Sequence, residues 1–409
     1  MARRRPSTRR SVAEWGIRGL AAVAAVLGGY IGATQTLAHI VRTGGVERAY
    51  ALAPNNGRIT ALMAQKLSGA DATAADRARG DRLARQALRQ DPTAIAAVLT
   101  LGLNAQVRGH TTEARRLLAY AERLSRRDLQ TQIWAIEDAV GRGDVAGTLR
   151  HYDIALRTSR GAPDLLFPVL GSAIADPTVR VALVKVLAAK PAWGPFFADY
   201  VADSGPDRRA TAKFLTGLQR VGVPVSEGAQ AAIVDALTAQ GLIDVAWAYY
   251  AAVRPGVDRR QSRDPRFSAA ITTPTPFDWT PINDGGVTTS IQRGGEGGIF
   301  DFVAPASVGG PLLQQKQLLP PGDYRLEGRS IGIDQPEESR PYWVLSCQGT
   351  RELGRVTIPN SAQANGTFIG RFSVPAECPL QVLTLVSRPS DRVSGVAGQI
   401  DRVRLFPVR

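Results

Sequence analysis

The stretch Ile95–Asp128, IAAVLTLGLNAQVRGHTTEARRLLAYAERLSRRD, carries apolar residues at helical spacing on either side of Gly109. It reads as two helices joined by a turn. The pattern recurs. Ala87, Ala121 and Ala155 are thirty-four residues apart, as are Gly109 and Gly143, and Leu118 and Tyr152. Ala49 and Pro54 recur at Ala87 and Pro92 with an offset of thirty-eight, which places a four-residue insertion in the polar stretch 68–73. A fixed period of this length marks stacked helical hairpins, each burying its apolar face against the next. The pattern is regular over 44–160. It continues out of register over 161–255, where Pro177, Pro191, Pro195, Pro206 and Pro224 mark helix ends.

The unit Ile95–Asp128 resembles the tetratricopeptide repeat, with Leu101-Gly102 in its first helix, Gly109 in the turn, Ala114 and Leu118 in its second helix, Ala121 near its end, and Pro92 closing the preceding unit. Small residues at Gly102, Ala114, Ala121 and Ala155 let paired helices approach, and Gly109 and Gly143 occupy turns. The resemblance implies an all-α solenoid over 44–255 whose groove holds a segment of a partner protein. The arginines at 108, 115, 116, 123, 126 and 127 read as a solvated face.

Toward the N-terminus, Gly19–Ala38 holds no charged side chain. As a helix, twenty residues reach roughly 30 Å, the hydrocarbon thickness of a bilayer. Arg3, Arg4, Arg5, Arg9, Arg10 and Arg18 precede it, and an excess of basic residues stays on the cytoplasmic side. The expectation is a cytoplasmic tail (1–18), a transmembrane helix (19–41) in contact with membrane lipid, and the remaining chain across the inner membrane, in the periplasm of a bacterial-type cell. A cleaved signal peptide is the rival reading.

Residues 256–276, with Pro255-Gly256 at their start and Thr272-Thr273-Pro274-Thr275-Pro276 at their end, read as a linker. Beyond them, 277–409 alternates with period two in short runs separated by Gly, Pro, Asn and Asp, the pattern of an all-β sandwich. Phe277-Asp278-Trp279, Leu312-Leu313-Gln314-Gln315, the turn Pro320-Pro321-Gly322-Asp323-Tyr324 and the closing strand 398–405 resemble the jelly-roll carbohydrate-binding modules of the galactose-binding-like group. That resemblance implies polysaccharide as a partner and a last strand lying beside the first. Flat aromatics stack on sugar rings, which makes Trp279, Tyr342 and Trp343 candidates; core packing is the competing role of both tryptophans. Tyr342 and Trp343 are neighbours, so one faces inward and the other outward. Asp284, Gln314 and Asn365 are candidates to bond sugar hydroxyls, although turn formation also explains Asp284 and Asn365. Cys347 and Cys378 are the sole cysteines and read as a disulfide in an oxidising compartment, or else as two buried thiols.

The formal charge of +14 comes almost entirely from arginines of the tail and the helical region; beyond 262 acids and bases nearly cancel. Nucleic acid is therefore not an expected partner. Two cysteines and three scattered histidines form no metal-ligand set, no cofactor motif is present, and no nucleophile–base arrangement emerges. Gly-Glu-Gly-Gly at 295–298 lacks the strand-to-helix context of a phosphate loop. The chain reads as a multidomain protein: one transmembrane helix, an all-α solenoid, then a jelly-roll sandwich. Its function reads as a non-catalytic envelope scaffold in exopolysaccharide or cell-envelope assembly. A glycan-binding protein, or a polysaccharide-active enzyme with two carboxylates about 5–10 Å apart, are the alternatives.

Overall fold

A computed structural model describes residues 12–294, 297–348 and 350–408. The N-terminal arginines at 3, 4, 5, 9 and 10 lie outside the described residues. The chain forms two compact units, Met1–Pro163 and Asp164–Arg409.

The first unit opens with α1 (Val12–Val41), a helix of 30 residues, about 45 Å long. It is long and apolar enough to cross a membrane, and a signal sequence near an N-terminus has the same features. Its apolar side chains are exposed on every side, among them Trp15, Leu20, Val26, Tyr30 and Ile31. Only its last turns pack, with Ala38 buried against Ala49, Ala53 and Ile59. After α2 (Val46–Leu52) come three helix pairs. These are α3 (Gly57–Leu67) with α4 (Ala74–Gln90), α5 (Ile95–Val107) with α6 (Thr111–Leu124), and α7 (Leu129–Gly141) with α8 (Val145–Thr158).

The residue types explain these boundaries. Asn56, Thr73, Asp128 and Asp144 accept backbone N–H bonds at the starts of α3, α4, α7 and α8, satisfying donors that have no partner within the helix. Gly109 and Gly143 turn the chain at φ of +79° and +69°. Gly102 is small because Leu118 fills the space: a Cβ there would lie 2.7 Å from Leu118 Cγ. Ala114, Ala121 and Ala155 are fully buried. The insertion at 68–73 is fixed by Arg77, whose guanidinium donates to the carbonyls of Ser68, Gly69 and Ala70 at 3.0–3.2 Å.

The second unit starts with α9 (Ala162–Ala173), in whose first turn the division falls, followed by α10 (Pro177–Ala188), α11 (Gly194–Ser204), α12 (Arg208–Arg220), α13 (Glu227–Ala239) and α14 (Ile243–Val253). Phe167, Trp193, Phe197 and Phe214 form its aromatic centre. Two five-stranded antiparallel sheets follow. One runs β1 (Thr280–Pro281), β4 (Gly310–Gln317), β9 (Gln381–Ser387), β6 (Tyr342–Cys347), β7 (Arg351–Thr357). The other runs β2 (Thr288–Gly294), β3 (Gly297–Ala304), β10 (Val396–Pro407), β5 (Gly322–Ile331), β8 (Thr367–Val374). Alternate residues of both meet in one core that includes Phe300, Phe302, Leu326, Trp343, Leu385 and Ile400. The architecture is thus an apolar helix, a helical region and a β-sandwich.

Two features differ from the sequence reading. The helices of 44–255 do not form one body: those after Pro163 cluster with the sandwich, and the break coincides with the loss of the thirty-four-residue register. The closing strand β10 does not lie beside the first strand. It runs centrally between β3 and β5, because its long alternation supplies Val396, Ile400, Val403 and Leu405 to the middle of the core.

Cys347 and Cys378 are joined, with Cα atoms 5.6 Å apart and a separation of 31 positions in sequence. Closing a loop of that length stabilises by roughly 3–4 kcal/mol on the chain-entropy account. Replacing both by serine is expected to lower the unfolding free energy of the second unit by about that amount in urea titration, leaving the first unit unchanged.

Candidate functional site

The segment 256–276, expected as a linker, is built into the sandwich. Phe267 is fully buried in its core. Residues 262–265 run alongside β10 where β3 ends: Ser262 N–H donates to Leu405 O at 2.9 Å, and Val403 N–H to Pro265 O at 2.9 Å. Arg263 is buried, and every donor of its guanidinium is used. Nε and Nη2 donate to Phe277 O at 3.0 and 2.8 Å, Nη1 to Gln317 Oε1 at 2.7 Å and to Gln261 O at 3.5 Å, and Nη2 also reaches Lys316 O. The indole of Trp247, on α14, lies 5.6 Å from its charge. Beside it Tyr250, also on α14, donates to Asp278 Oδ1 at 2.8 Å. Burial pulls the Arg263 pKa down to about 10, so the group stays charged at neutral pH. At the start of α13, Thr272 and Thr273 donate to Glu227, holding its carboxylate below the usual range.

The aromatic sugar platform does not assemble. Trp279 is buried, its Nε1–H bonded to Asp264 O at 3.0 Å and its ring against Phe267 and Trp343 at 5.6 and 5.8 Å. Trp343 is fully buried. Trp343 alternates inward on β6 toward the opposite sheet, and Trp279, just before β1, packs edge-on against Trp343. Tyr342 faces outward, half-buried, but the guanidiniums of Arg355 and Arg388 lie 4.0 and 4.8 Å from its ring centre. The polar candidates are equally committed. Asp284 caps its own turn at Gly285 N–H (2.8 Å), Asn365 sits in a turn at φ +53°, and Gln314 is a paired residue of β4.

What the sandwich presents instead is a cleft over the outer side of β10. One recess of about 470 Å³ is lined by Arg266, Gly297, Gly298, Ile299, Arg329, Asp401 and Arg402. A second, of about 440 Å³, shares Arg266 and Arg402 with it and adds Asp258, Asp264, Glu327 and Arg404. Its carboxylates are each engaged: Asp258 with Arg260 at 3.2 Å, Asp264 with the N–H groups of Ser268 and Ala269 at 2.7 and 3.0 Å, and Glu327 with Arg325 at 3.6 Å.

In the first unit, the first helices of the three pairs line a groove of about 480 Å³. Leu99, Leu103 and Val107 of α5 and Trp134 of α7 supply apolar surface, and Val107 is 62% exposed. Gln65 of α3 donates to Gln130 of α7 at 2.6 Å across it. His151 is a core residue rather than a site. It is buried, and its Nδ1 lies 2.9 Å from Gln132 Oε1. No cluster of metal-ligating side chains exists among the described residues.

The chain matches no family model and no curated relative. Among solved structures it is similar to a CBM61 module in complex with β-1,4-galactotriose, at 16% identity over 37% of this chain and 97% of the module, with a TM-score of 0.25. It is similar to the CBM22-1 xylan-binding domain of Xyn10C from Paenibacillus barcinonensis, at 11% identity over 37% of this chain and 94% of that domain, with a TM-score of 0.25. A third is the carbohydrate-binding module CBM6cm-2 of lichenase 5A from Cellvibrio mixtus in complex with cellotriose, at 12% identity over 32% of this chain and 98% of the module, with a TM-score of 0.22. These neighbours match the β-sandwich, and the likeness concerns its fold.

Replacing Arg263 with methionine leaves three carbonyls and a glutamine oxygen without donors. Each buried unpaired acceptor costs about 1–3 kcal/mol. The variant is expected to lose at least about 4 kcal/mol in urea unfolding, four acceptors at the lower end of that range, and to weaken the tryptophan near-UV signal. Burial also holds the His151 imidazole below its ordinary value of 6.5. The unfolded chain therefore takes up that proton first, so the His151 contribution is complete above about pH 6.5 and declines as pH falls below it. Between pH 7.5 and 5.5 the melting temperature of the first unit is expected to fall, and to fall less in His151→Gln.

Proposed function

We propose that this chain is a non-catalytic, membrane-tethered adaptor of the cell envelope, with α1 as its anchor and both units in the periplasm. The helix pairs hold an extended segment of a partner protein, and the sandwich contacts envelope polysaccharide, in exopolysaccharide or envelope assembly. The observation that carries the reading is the groove across α3, α5 and α7, where Val107 and Trp134 offer apolar surface between amides that can bond a peptide backbone. The joined cysteines suit an oxidising compartment. Among the described residues the β10 cleft holds no free carboxylate pair, which supports a binding role over glycoside hydrolysis. A tether raises the effective concentration of weak contacts, which suits an adaptor.

A photo-crosslinking residue at Val107 in intact cells is expected to give one discrete protein adduct that is lost on adding Trp134→Glu. Equal adducts from a probe at Phe196, a 70% exposed residue of the second unit, would refute the groove as the docking site. The chain is also expected to remain in the membrane pellet after alkaline carbonate extraction.

A further inference from the structure

We propose that the outer face of the β10–β5–β8 sheet binds a linear polysaccharide bearing carboxylates. The proposal rests on the reading of the sandwich as the part that contacts polysaccharide, and it names the chemical class.

Register brings the charges together. Arg402 pairs directly with Arg329, and Arg325 with Arg371; Arg404 stands opposite Glu327. Directly opposed residues share a face, and like charges in such pairs are destabilising. Two such pairs on one face are therefore a cost to the fold. Asp401 neutralises Arg329, and Glu327 lies 3.6 Å from Arg325. Arg266, Arg371 and Arg402 are exposed and have no ion-pair partner among the described residues. The near balance of acids and bases beyond residue 262 thus conceals a sorted surface: six arginines against Asp301, Asp323, Glu327 and Asp401 on one side of one sheet.

The shape selects among anionic partners. The two recesses, about 470 and 440 Å³, join through Arg266 and Arg402 into a cleft along β10. Residues 256–266 form one of its walls. A walled cleft admits a chain and excludes a flat bilayer or a duplex. Successive outward residues on a strand are about 6.6–6.8 Å apart, so Arg402 and Arg404 meet a polymer along its length. Guanidinium groups bind carboxylates in paired, planar hydrogen bonds. Ile369, exposed opposite Glu327, and Phe406 give apolar contact for sugar C–H faces.

The test uses the full chain in phosphatidylcholine nanodiscs and four probes: immobilised polygalacturonate, neutral β-1,4-galactan, phosphatidylglycerol vesicles, and duplex DNA. Arg371→Gln/Arg402→Gln removes two unpaired charges from the face, and Arg116→Gln/Arg209→Gln removes two exposed charges from the helical region. Unchanged melting confirms that both variants fold. Polygalacturonate is expected to bind, more weakly as salt rises, with at least tenfold loss in the face variant and none in the helical variant. Equal losses in the two variants would overturn the proposal, as would vesicles or DNA binding through the face in preference to polygalacturonate. Retention on galactan without retention on polygalacturonate would overturn the acidic class while leaving the polysaccharide reading intact. No retention on either polysaccharide would overturn both.

Discussion

The second unit depends on one buried charge. Arg263 lies in a Pro- and Gly-rich segment between the last helix and the first strand, and it joins that segment to α14 and β4. A guanidinium carries five donors in a rigid plane, and burial requires that each find an acceptor. Here they are the carbonyls of Gln261, Phe277 and Lys316 and the side chain of Gln317, while Trp247 covers the charge from α14. Gln315 closes the network, accepting from Arg263 N–H at 3.1 Å and donating back to Arg263 O at 3.2 Å. Such a constellation has one satisfactory geometry. It orients α14 on the sandwich and lays residues 262–265 against β10, where they form a wall of the cleft.

The same constraint explains the division of the chain. Helices that pair by small-residue contact, such as Gly102 with Leu118, need only their neighbours, and the first unit is a stack of that kind. The helices from α9 onward end in a segment whose polar groups find partners both on the sandwich and on α13 and α14. The proposed binding face is thereby held on a rigid sheet rather than on loops, the arrangement that recognition of a repetitive polymer by regularly spaced side chains would need.

The sequence made the helical repeats legible because their packing is local: a thirty-four-residue period, a glycine wherever the chain turns with positive φ, and alanines where helices touch. The sandwich was legible from alternation, and the disulfide from two cysteines in one small β region. The site was not. Trp279 and Trp343 are suited equally to a sugar platform and to a core, and only the opposite sheet decides between them. Arg263 looked like one more charge in a linker, because its acceptors lie up to 54 residues away. The arginine face was present as outward positions in Tyr324-Arg325-Leu326-Glu327 and Arg402-Val403-Arg404-Leu405. A register shift between Ile400 and Arg402 decides which of those positions meet, and nothing in the local sequence reports it.

Native-state hydrogen exchange of the full chain in low urea tests the central claim, that α14 and the sandwich open as one body held by Arg263. The amides of α14 and those of β4 and β10 are expected to share one opening free energy and one dependence on urea. Exchange of α14 at a distinctly lower free energy, with β4 and β10 still protected, would show that the helices are merely attached to the sandwich and would contradict the account.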